Sequence, residues 1–332
     1  MIWPMRFKNK PNVAHRKEES ETIRAPQPSS RGNIWAIGGG KGGIGKSLVT
    51  SSFGTLLARM GKRVLLVDAD FGSANLHTFI KTRPNHSSFS NYLTTCDITE
   101  FDNLIAKTEI QNVDMISGSQ DALDVADIKS DKIDNLYKAL KTVEYDYILI
   151  DIGPGTSSVN LDIILQADVR ILITTPEPTS VENSFRLLKA VYSHHLKKIM
   201  VSKEYASYRP ALQSMFHSSI GRHDKKNINI LKLMKDTFQK EGDDEKILKL
   251  NNAIHLVVNQ AQRKEDLSLG PSMTKALWRH FGIKVVYLGC VKHDHAVIDS
   301  IRSRRPLSAY YENSAAAIAI EKSLQTLLMK LG

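Results

Sequence analysis

The sequence predicts an α/β fold, in which a doubly wound, mostly parallel sheet carries helices on both faces. Three observations favour this fold: short apolar segments rich in β-branched residues recur along the chain, helical patterns fall between them, and 42% of the 332 residues are apolar. Most strand patterns lack apolar–polar alternation, which is typical of strands buried on both faces of a parallel sheet. A chain of this length can bury a substantial core, as one large domain or one domain with additions.

The predicted strands and helices alternate along the chain from residue 33. Strands are expected at Ile34–Ile37, Val64–Val67, Val113–Ile116, Tyr147–Ile150, Val169–Thr174, Ile254–Val258 and Val285–Leu288. Helices are expected at Val49–Met60, Lys129–Val143, Ser180–His195, Pro271–Phe281 and Ser314–Leu331. Ligands of doubly wound sheets bind at the carboxyl ends of the strands, so functional residues are expected directly after them.

A glycine-rich phosphate-binding loop follows the first predicted strand. Residues 40–47 satisfy G-x-x-x-x-G-K-[ST] between a strand pattern and a helix pattern, which is the context that this motif needs. Glycine lets backbone N–H groups approach phosphate oxygens closely, and the helix N-terminus adds unpaired donors. Lys46 is expected to neutralise the β- and γ-phosphates, and the Ser47 hydroxyl to bind Mg²⁺. A glycine-rich turn without a ligand is the alternative. The nucleotide-binding residues predicted here are Gly40, Lys41, Gly42, Gly43, Ile44, Gly45, Lys46, Ser47 and Leu48.

Acidic residues follow two further predicted strands. Asp68 and Asp70 come after Val64–Val67, and their carboxylates are suited to orient an attacking water or to hold Mg²⁺ through water. The alternative is that each of them caps the next helix. Asp151 follows Tyr147–Ile150 in a Walker B arrangement, where a carboxylate meets magnesium opposite the loop serine.

Small and amide residues complete the predicted site. Gly153 and Gly155 follow the Walker B acid in D-I-G-P-G, and their backbone N–H groups can sense a γ-phosphate as a switch II loop does. Asn259 follows the predicted strand Ile254–Val258, and its amide offers both a donor and an acceptor. Gly153 is therefore added to the predicted nucleotide-binding residues.

Together these motifs resemble those of the MinD/ParA group of P-loop ATPases, most of all its FlhG (YlxH/FleN) and MinD branch. The matching segments are K-G-G-I-G-K-S at 41–47, D-A-D-F-G-S-A-N-L at 68–76, D-I-G-P-G at 151–155 and T-T-P-E-P-T-S at 174–180. The resemblance covers roughly residues 33–195 and 252–331. In the last strand and loop of the family, Val291 and Lys292 replace the usual I-P, so base contacts there are in doubt.

The resemblance implies an ATPase that uses ATP and Mg²⁺ and forms a homodimer with the nucleotides sandwiched between subunits. It implies that Lys41 reaches across the interface to the partner's nucleotide, with an ordinary solvated lysine as the alternative. It further implies that Asp70 positions the hydrolytic water, that Asp68 supports the outer shell of the metal, and that Asn259 contacts adenine. The catalytic residues are then Lys41 and Asp70, and the metal-site residues Ser47, Asp68 and Asp151.

The family implies a switch that hydrolyses ATP slowly without a protein partner, and that positions or counts a cellular structure such as a flagellum or division site. The alternative is a ParA-like, DNA-binding partition or cargo-positioning ATPase. A metabolic member of the fold is a third hypothesis, to which the Tyr310–Tyr311 pair adds little. Neither a basic amphipathic membrane-targeting helix after the last core helix nor a D-Q-A-x-x-L-R element is evident, so membrane cycling and the partner GTPase of FlhG cannot be inherited from the family.

The net charge of +10 is unevenly distributed. Residues 1–32 hold seven basic and three acidic residues, residues 196–250 hold twelve and seven, and the remainder is nearly neutral. The first segment predicts a flexible basic leader, and the second a helical basic insertion within an ATPase domain at 33–332. Basic segments attached to a nearly neutral core can bind nucleic acid, an anionic surface or an acidic protein partner. The alternative is that their charges are solvated and only maintain solubility.

The cysteines and the apolar runs exclude several classes of protein. Cys96 and Cys290 are far apart and have no metal-ligand spacing, which argues against a disulfide framework or a structural zinc site. No apolar run approaches the ~18–20 residues that a membrane-spanning helix needs. The first residues lack the apolar segment of a signal peptide. We therefore expect a cytoplasmic protein, with recruitment to the membrane or the nucleoid as a further hypothesis.

Overall fold

A computed structural model describes residues 33–71, 74–82, 89–95, 101–118, 130–201 and 253–332, with isolated positions between 202 and 252. The predicted leader at 1–32 and most of the predicted insertion at 196–250 lie outside these residues. Both segments therefore stay predictions. Among the described residues, no helix is long and apolar enough to cross a membrane.

The described residues form one sheet with strand order β3-β4-β2-β5-β1-β6-β7-β8. The strands are β1 (Asn33–Gly38), β2 (Val64–Ala69), β3 (Ile105–Lys107), β4 (Val113–Ile116), β5 (Tyr147–Ile152), β6 (Val169–Thr174), β7 (Ile254–Ala261) and β8 (Val285–Lys292). Every neighbouring pair is parallel except β3 and β4, which pair antiparallel. The sheet is therefore mostly parallel, as the sequence predicts.

Helices connect the strands on both faces of this sheet. They are α1 (Lys46–Arg59), α2 (Leu76–Phe79), α3 (Phe89–Thr95), α4 (Ser130–Leu140), α5 (Ser158–Gln166), α6 (Pro178–Val201), α7 (Leu269–Phe281), α8 (His295–Ser303), α9 (Leu307–Tyr310) and α10 (Ala315–Leu331). Short 3₁₀ turns lie at Asp102–Leu104 and Glu265–Ser268.

Two hydrophobic clusters, one on each face of the sheet, form the core. Successive side chains of a strand point to opposite faces, so Ile150 of β5 joins the cluster that contains Ile163 of α5, whereas Leu149 joins the cluster of α1 and α10. Both residues are fully buried. Burial on both faces explains the continuous apolar composition of the strands, and it confirms the doubly wound fold.

Every predicted strand lies within an observed one, and the predicted helices overlap α1, α4, α6, α7 and α10. The sequence analysis missed β3, because three residues are too few for a periodic signal. It also missed α5, in which six consecutive residues are buried, so that no amphipathic pattern marks the helix. The helix α6 continues to Val201, so residues 196–201 at the start of the predicted insertion belong to it.

Candidate functional site

The glycine-rich loop connects β1 to α1 at the carboxyl end of the sheet. Gly43 and Gly45 have φ angles of 75° and 91°, a region that glycine adopts without strain, and Gly45 is the N-cap of α1. A Cβ atom on Gly40 would lie 2.4 Å from the backbone of Asn183, so the loop packs directly onto α6. By contrast, a Cβ on Gly42 would meet nothing within 4 Å. The loop is therefore packed closely against α6 at Gly40, whereas no protein atom lies near Gly42 on the Cβ side.

A cavity of about 610 Å³ opens beside this loop, within the range of ~300–1,000 Å³ that small-molecule sites occupy. The predicted residues that line it are Gly42, Gly43, Gly45, Lys46, Ser47, Leu48, Asp70 and Asn259. The opposite wall is apolar and comes from α8, through Val297, Ile298 and Ile301. The cavity thus has a side formed by the glycine-rich loop and an apolar side formed by α8.

Lys46 is the first residue of α1 and is 6% exposed. Its positive charge lowers the pKa of Asp151, although burial has the larger and opposite effect on that carboxyl group. Among the residues that the structure describes, no carboxylate forms an ion pair with the Lys46 ammonium group. A buried ammonium group without a paired anion is costly, and an anionic ligand at the loop would compensate it.

Ser47 and Asp151 lie in direct contact across the loop and β5. The Ser47 hydroxyl donates a hydrogen bond of 2.5 Å to one carboxylate oxygen, and Thr50 of the same helix lies 3.4 Å from the other oxygen. Asp151 is fully buried, and burial raises its pKa to about 7. The hydrogen bond from Ser47 acts in the opposite direction by stabilising the ionised form.

This pair suits a magnesium ion. A hydroxyl and a carboxylate are the hard oxygen donors that Mg²⁺ prefers, and Mg²⁺ at phosphate sites takes one or two protein ligands together with phosphate and water oxygens. The described residues contain no group of three His, Cys, Asp or Glu side chains that could form an all-protein metal site. The Ser47 hydroxyl and the Asp151 carboxylate fit a metal that also takes phosphate oxygens as ligands.

Asp68 and Asp151 are paired neighbours in the register of β2 and β5. Asp68 is fully buried, and burial together with the nearby Asp151 charge raises its pKa well above the ordinary value. Its two oxygens accept the backbone N–H groups of Asp70 (3.2 Å) and Leu76 (2.9 Å). Asp68 therefore holds the backbone of Asp70 and the first residue of α2, and the contact to Leu76 agrees with the capping alternative.

Asp70 lies beside the loop that follows β5. It is half-buried and lines the cavity, and a Cβ atom on Gly153 would lie 3.0 Å from its Oδ1 atom. The two acidic motifs, which are about 80 residues apart in the sequence, therefore converge at one edge of the cavity.

Lys41 lies on the outer side of the loop and is absent from the cavity lining among the described residues. Its Nζ atom lies 2.5 Å from Oε2 of Glu177 and 3.4 Å from Oγ1 of Thr179. These partners belong to the T-T-P-E-P-T-S segment, with Glu177 directly before α6 and Thr179 in its first turn. The sequence analysis quoted this segment without predicting a contact to the phosphate-binding loop.

Asn259 and Gln260, at the end of β7, both donate to backbone carbonyls of the loop. The Asn259 amide donates to Ile44 O at 2.8 Å, and the Gln260 amide donates to Gly43 O at 2.9 Å. Asn259 is 2% exposed overall, yet it contributes to the cavity wall. The sequence analysis missed Gln260, whose only unusual feature is its backbone φ of 59°. No sequence pattern marks that conformation.

The segment after β8 shapes the apolar wall. Val291 is buried, whereas Lys292 lines the cavity. Asp294 accepts hydrogen bonds from the N–H groups of Ala296 (2.9 Å) and Ala316 (3.0 Å), and thus caps α8 and holds the start of α10. The sequence analysis named this segment without predicting α8.

The strand, glycine loop and helix, with Lys46 and Ser47 facing the Walker B acid Asp151, define a P-loop nucleotide-binding domain. A family model described as an AAA domain matches residues 32–201. The chain belongs to this family and, within it, to the MinD/ParA-type P-loop ATPases.

Individual relatives agree with this assignment. The septum site-determining protein MinD of Synechocystis sp. is 30% identical over 168 residues, which are 50% of this chain and 62% of that protein. The antiactivator FleN of Pseudomonas aeruginosa is 27% identical over 170 residues, which are 49% of this chain and 57% of that protein. The matches therefore span about three fifths of the length of these relatives.

A solved structure shares the fold. MinD of Pyrococcus horikoshii, complexed with Mg-ADP, superimposes with a TM-score of 0.59 at 21% identity, over 90% of this chain and 96% of that chain. At this identity the likeness shows the fold alone.

Proposed function

We propose that the chain is an ATP-binding and ATP-hydrolysing switch that forms a sandwich homodimer when ATP and Mg²⁺ are bound. The position of Lys41 is the observation that carries this proposal. Lys46 and Ser47 line the cavity, whereas Lys41 points away from it to Glu177 and is 40% exposed. A loop lysine on the outer side is available to the triphosphate of a second subunit.

Within one subunit, the residues divide the work of phosphoryl transfer to water. Lys46 neutralises charge on the terminal phosphates, and the loop N–H groups hold their oxygens. Ser47 and Asp151 would hold a metal ion, and Asp68 accepts the backbone N–H of Asp70. A metal held there would supply charge neutralisation to the phosphates.

Hydrolysis needs a positioned water molecule. Asp70 lies at the cavity edge and accepts a hydrogen bond from the water that attacks the γ-phosphorus. The bond between the γ-phosphorus and the bridging oxygen breaks, and ADP and inorganic phosphate form. Asn259 contacts the base, and Gly153 belongs to the loop that meets the γ-phosphate.

The proposed output is spatial positioning or number control of a cellular structure, with an unidentified protein partner that accelerates slow hydrolysis. The names of the relatives support this output, since one determines septum sites and the other is an antiactivator. A solved complex of MinC with MinD from Aquifex aeolicus shares the fold, with a TM-score of 0.54 at 17% identity. We further propose a cytoplasmic location.

The alternative function is a ParA-like ATPase that binds DNA through the basic segment at 196–250. A ParA family ATPase from Chlorobium tepidum has a TM-score of 0.58 at 17% identity, which shows the fold alone. Most of the basic segment lies outside the described residues, so no contact of the structure favours this alternative. Binding measurements distinguish the two functions.

Light scattering with ATP, with ADP and without nucleotide tests the proposal, each in Mg²⁺ and in EDTA. We expect twice the monomer mass only with ATP and Mg²⁺. Retention of duplex DNA at low and high salt tests the alternative, which predicts ATP-dependent binding that falls steeply with salt. A monomer under all conditions contradicts the sandwich dimer.

A further inference from the structure

Asn160, in the first turn of α5, is bonded to the loop that follows the Walker B strand. Its side-chain nitrogen donates to Gly153 O at 3.0 Å and to Pro154 O at 3.3 Å. The residue is 6% exposed, so these hydrogen bonds are largely shielded from water. One amide nitrogen thus donates to two consecutive carbonyls of the loop.

These two hydrogen bonds determine which way the next amide N–H points. In a trans peptide the C=O and N–H groups point in opposite directions, and the described residues contain no cis peptide bond. Holding Pro154 O towards α5 therefore turns the N–H of Gly155 away from α5. Pro154 has no N–H of its own, so Gly155 supplies the free donor here.

The loop that carries Gly155 borders the nucleotide cavity through Pro154. Gly153 of the same loop lies against Asp70 at the cavity edge. Gly155 has a φ of 89°, which a residue with a Cβ rarely adopts. Within the described part of the chain, no acceptor is hydrogen-bonded to the Gly155 N–H.

We propose that Asn160 is a positioning residue that aims the Gly155 N–H at the terminal phosphate and thereby lets the site distinguish ATP from ADP. This inference rests on the proposed ATPase function and names a residue that acts through the loop without touching the nucleotide. ADP lacks the γ-phosphate, so the aligned N–H contributes to ATP binding and to hydrolysis, but not to ADP binding.

The competing explanation is purely structural. Asn160 also donates its backbone N–H to the Ser157 hydroxyl, which is the N-cap of α5, at 3.3 Å. On that explanation, Asn160 variants change the stability of α5 and leave nucleotide preference unchanged. Ser157→Ala is therefore a matched control, because it weakens the same helix N-terminus without removing the bonds to the loop carbonyls.

The experiment compares the wild type with Asn160→Asp, Asn160→Ala and Ser157→Ala. Asn160→Asp keeps the side-chain size but replaces the donor with an acceptor, which repels both carbonyls. We expect the ratio of ATP to ADP affinity to fall about tenfold or more in both Asn160 variants, as for the loss of a hydrogen bond to a charged group. We also expect kcat to fall more than KM rises. Fluorescent-nucleotide titration and steady-state hydrolysis measure these values.

The control separates the outcomes. Ser157→Ala should lower the thermal midpoint and keep the wild-type affinity ratio. If the Asn160 variants also keep the wild-type ratio and kcat, the inference is wrong. If Asn160→Ala does not fold, the affinity ratio and kcat of the isosteric Asn160→Asp test the inference. A wild-type protein without hydrolysis or any preference for ATP contradicts the proposed function, and the inference then fails with it.

Discussion

Lys41 and Glu177 form an ion pair that joins the phosphate-binding loop to the segment before α6, with 2.5 Å between Nζ and Oε2. The two side chains are 40% and 58% exposed, so water screens the pair. Exposed pairs of this kind contribute about 0.2–1 kcal/mol. Lys41 can therefore exchange Glu177 for a more strongly charged phosphate group at small cost.

Lys41→Ala should separate nucleotide binding from dimerisation. Within one subunit Lys46, Ser47 and the loop amides already hold the phosphates, so ATP affinity should fall only modestly. In the dimer, the loss of a charge beside a desolvated triphosphate should cost on the order of 2–5 kcal/mol. Light scattering should show a monomer with ATP. An ATP-dependent dimer of this variant would mean that Lys41 is an ordinary loop lysine.

Glu177→Ala should favour the dimer, because it releases Lys41 from its partner within the same chain. A symmetric dimer releases two such pairs of about 0.2–1 kcal/mol each, so the protein concentration at half-dimerisation should fall by up to about 30-fold. Glu182→Ala is the matched control, since Glu182 forms an exposed ion pair with Arg186 on the same helix. Sedimentation with ATP measures both. Weaker dimerisation of Glu177→Ala would show that this carboxylate contributes directly to the interface.

Lys46→Ala should abolish measurable ATP binding. The variant removes the buried ammonium group at the start of α1, and the loss should be at least about 2 kcal/mol, or roughly 30-fold in affinity. Calorimetry with ATP and Mg²⁺ measures it, with the exposed Lys322→Ala as control. Unchanged affinity in Lys46→Ala would contradict the site assignment.

Asp70→Ala should bind ATP and dimerise but hydrolyse ATP about 10²–10⁴-fold more slowly, because it loses the group that orients the water. The phosphate contacts of the loop remain, so ATP-bound dimers should accumulate. Phosphate release and light scattering on the same sample measure both effects. A wild-type hydrolysis rate would show that Asp70 has only a structural role.

His195 should make stability depend on pH. Burial, together with the nearby charges of Arg170, Lys198 and His194, lowers its pKa from 6.5 to about 4. Between these values the unfolded chain binds more protons than the folded one, so this contribution to stability is lost as the pH falls from 6.5 to 4.

The variant His195→Gln should remove that dependence. The free energy of unfolding of the wild type should fall by up to about 3 kcal/mol more than that of the variant across this interval. Urea denaturation at several pH values measures the difference, with the exposed His280→Gln as control. Parallel pH profiles for the wild type and His195→Gln would show that His195 does not titrate as its burial indicates.

Local patterns in the sequence predicted much of this protein. The loop at 40–47 is encoded by adjacent residues, because glycine conformation and the start of α1 are local properties. The strands carry continuous apolar runs, because both of their faces are buried. Elements without such signals were missed: β3 is too short, and the buried α5 lacks a polar face.

The tertiary structure alone decided which distant residues meet. Asn259 bonds to Ile44 across 215 positions, and Lys41 pairs with Glu177 across 136. Asp68 faces Asp151 because β2 and β5 are neighbours in the sheet. Local periodicity identifies strands but carries no information on their order in the sheet. That order depends on how helices cover the two apolar faces of the sheet. The sequence by itself therefore determined the nucleotide loop and the fold class, whereas packing of the sheet determined the contacts that position the loop and its acids.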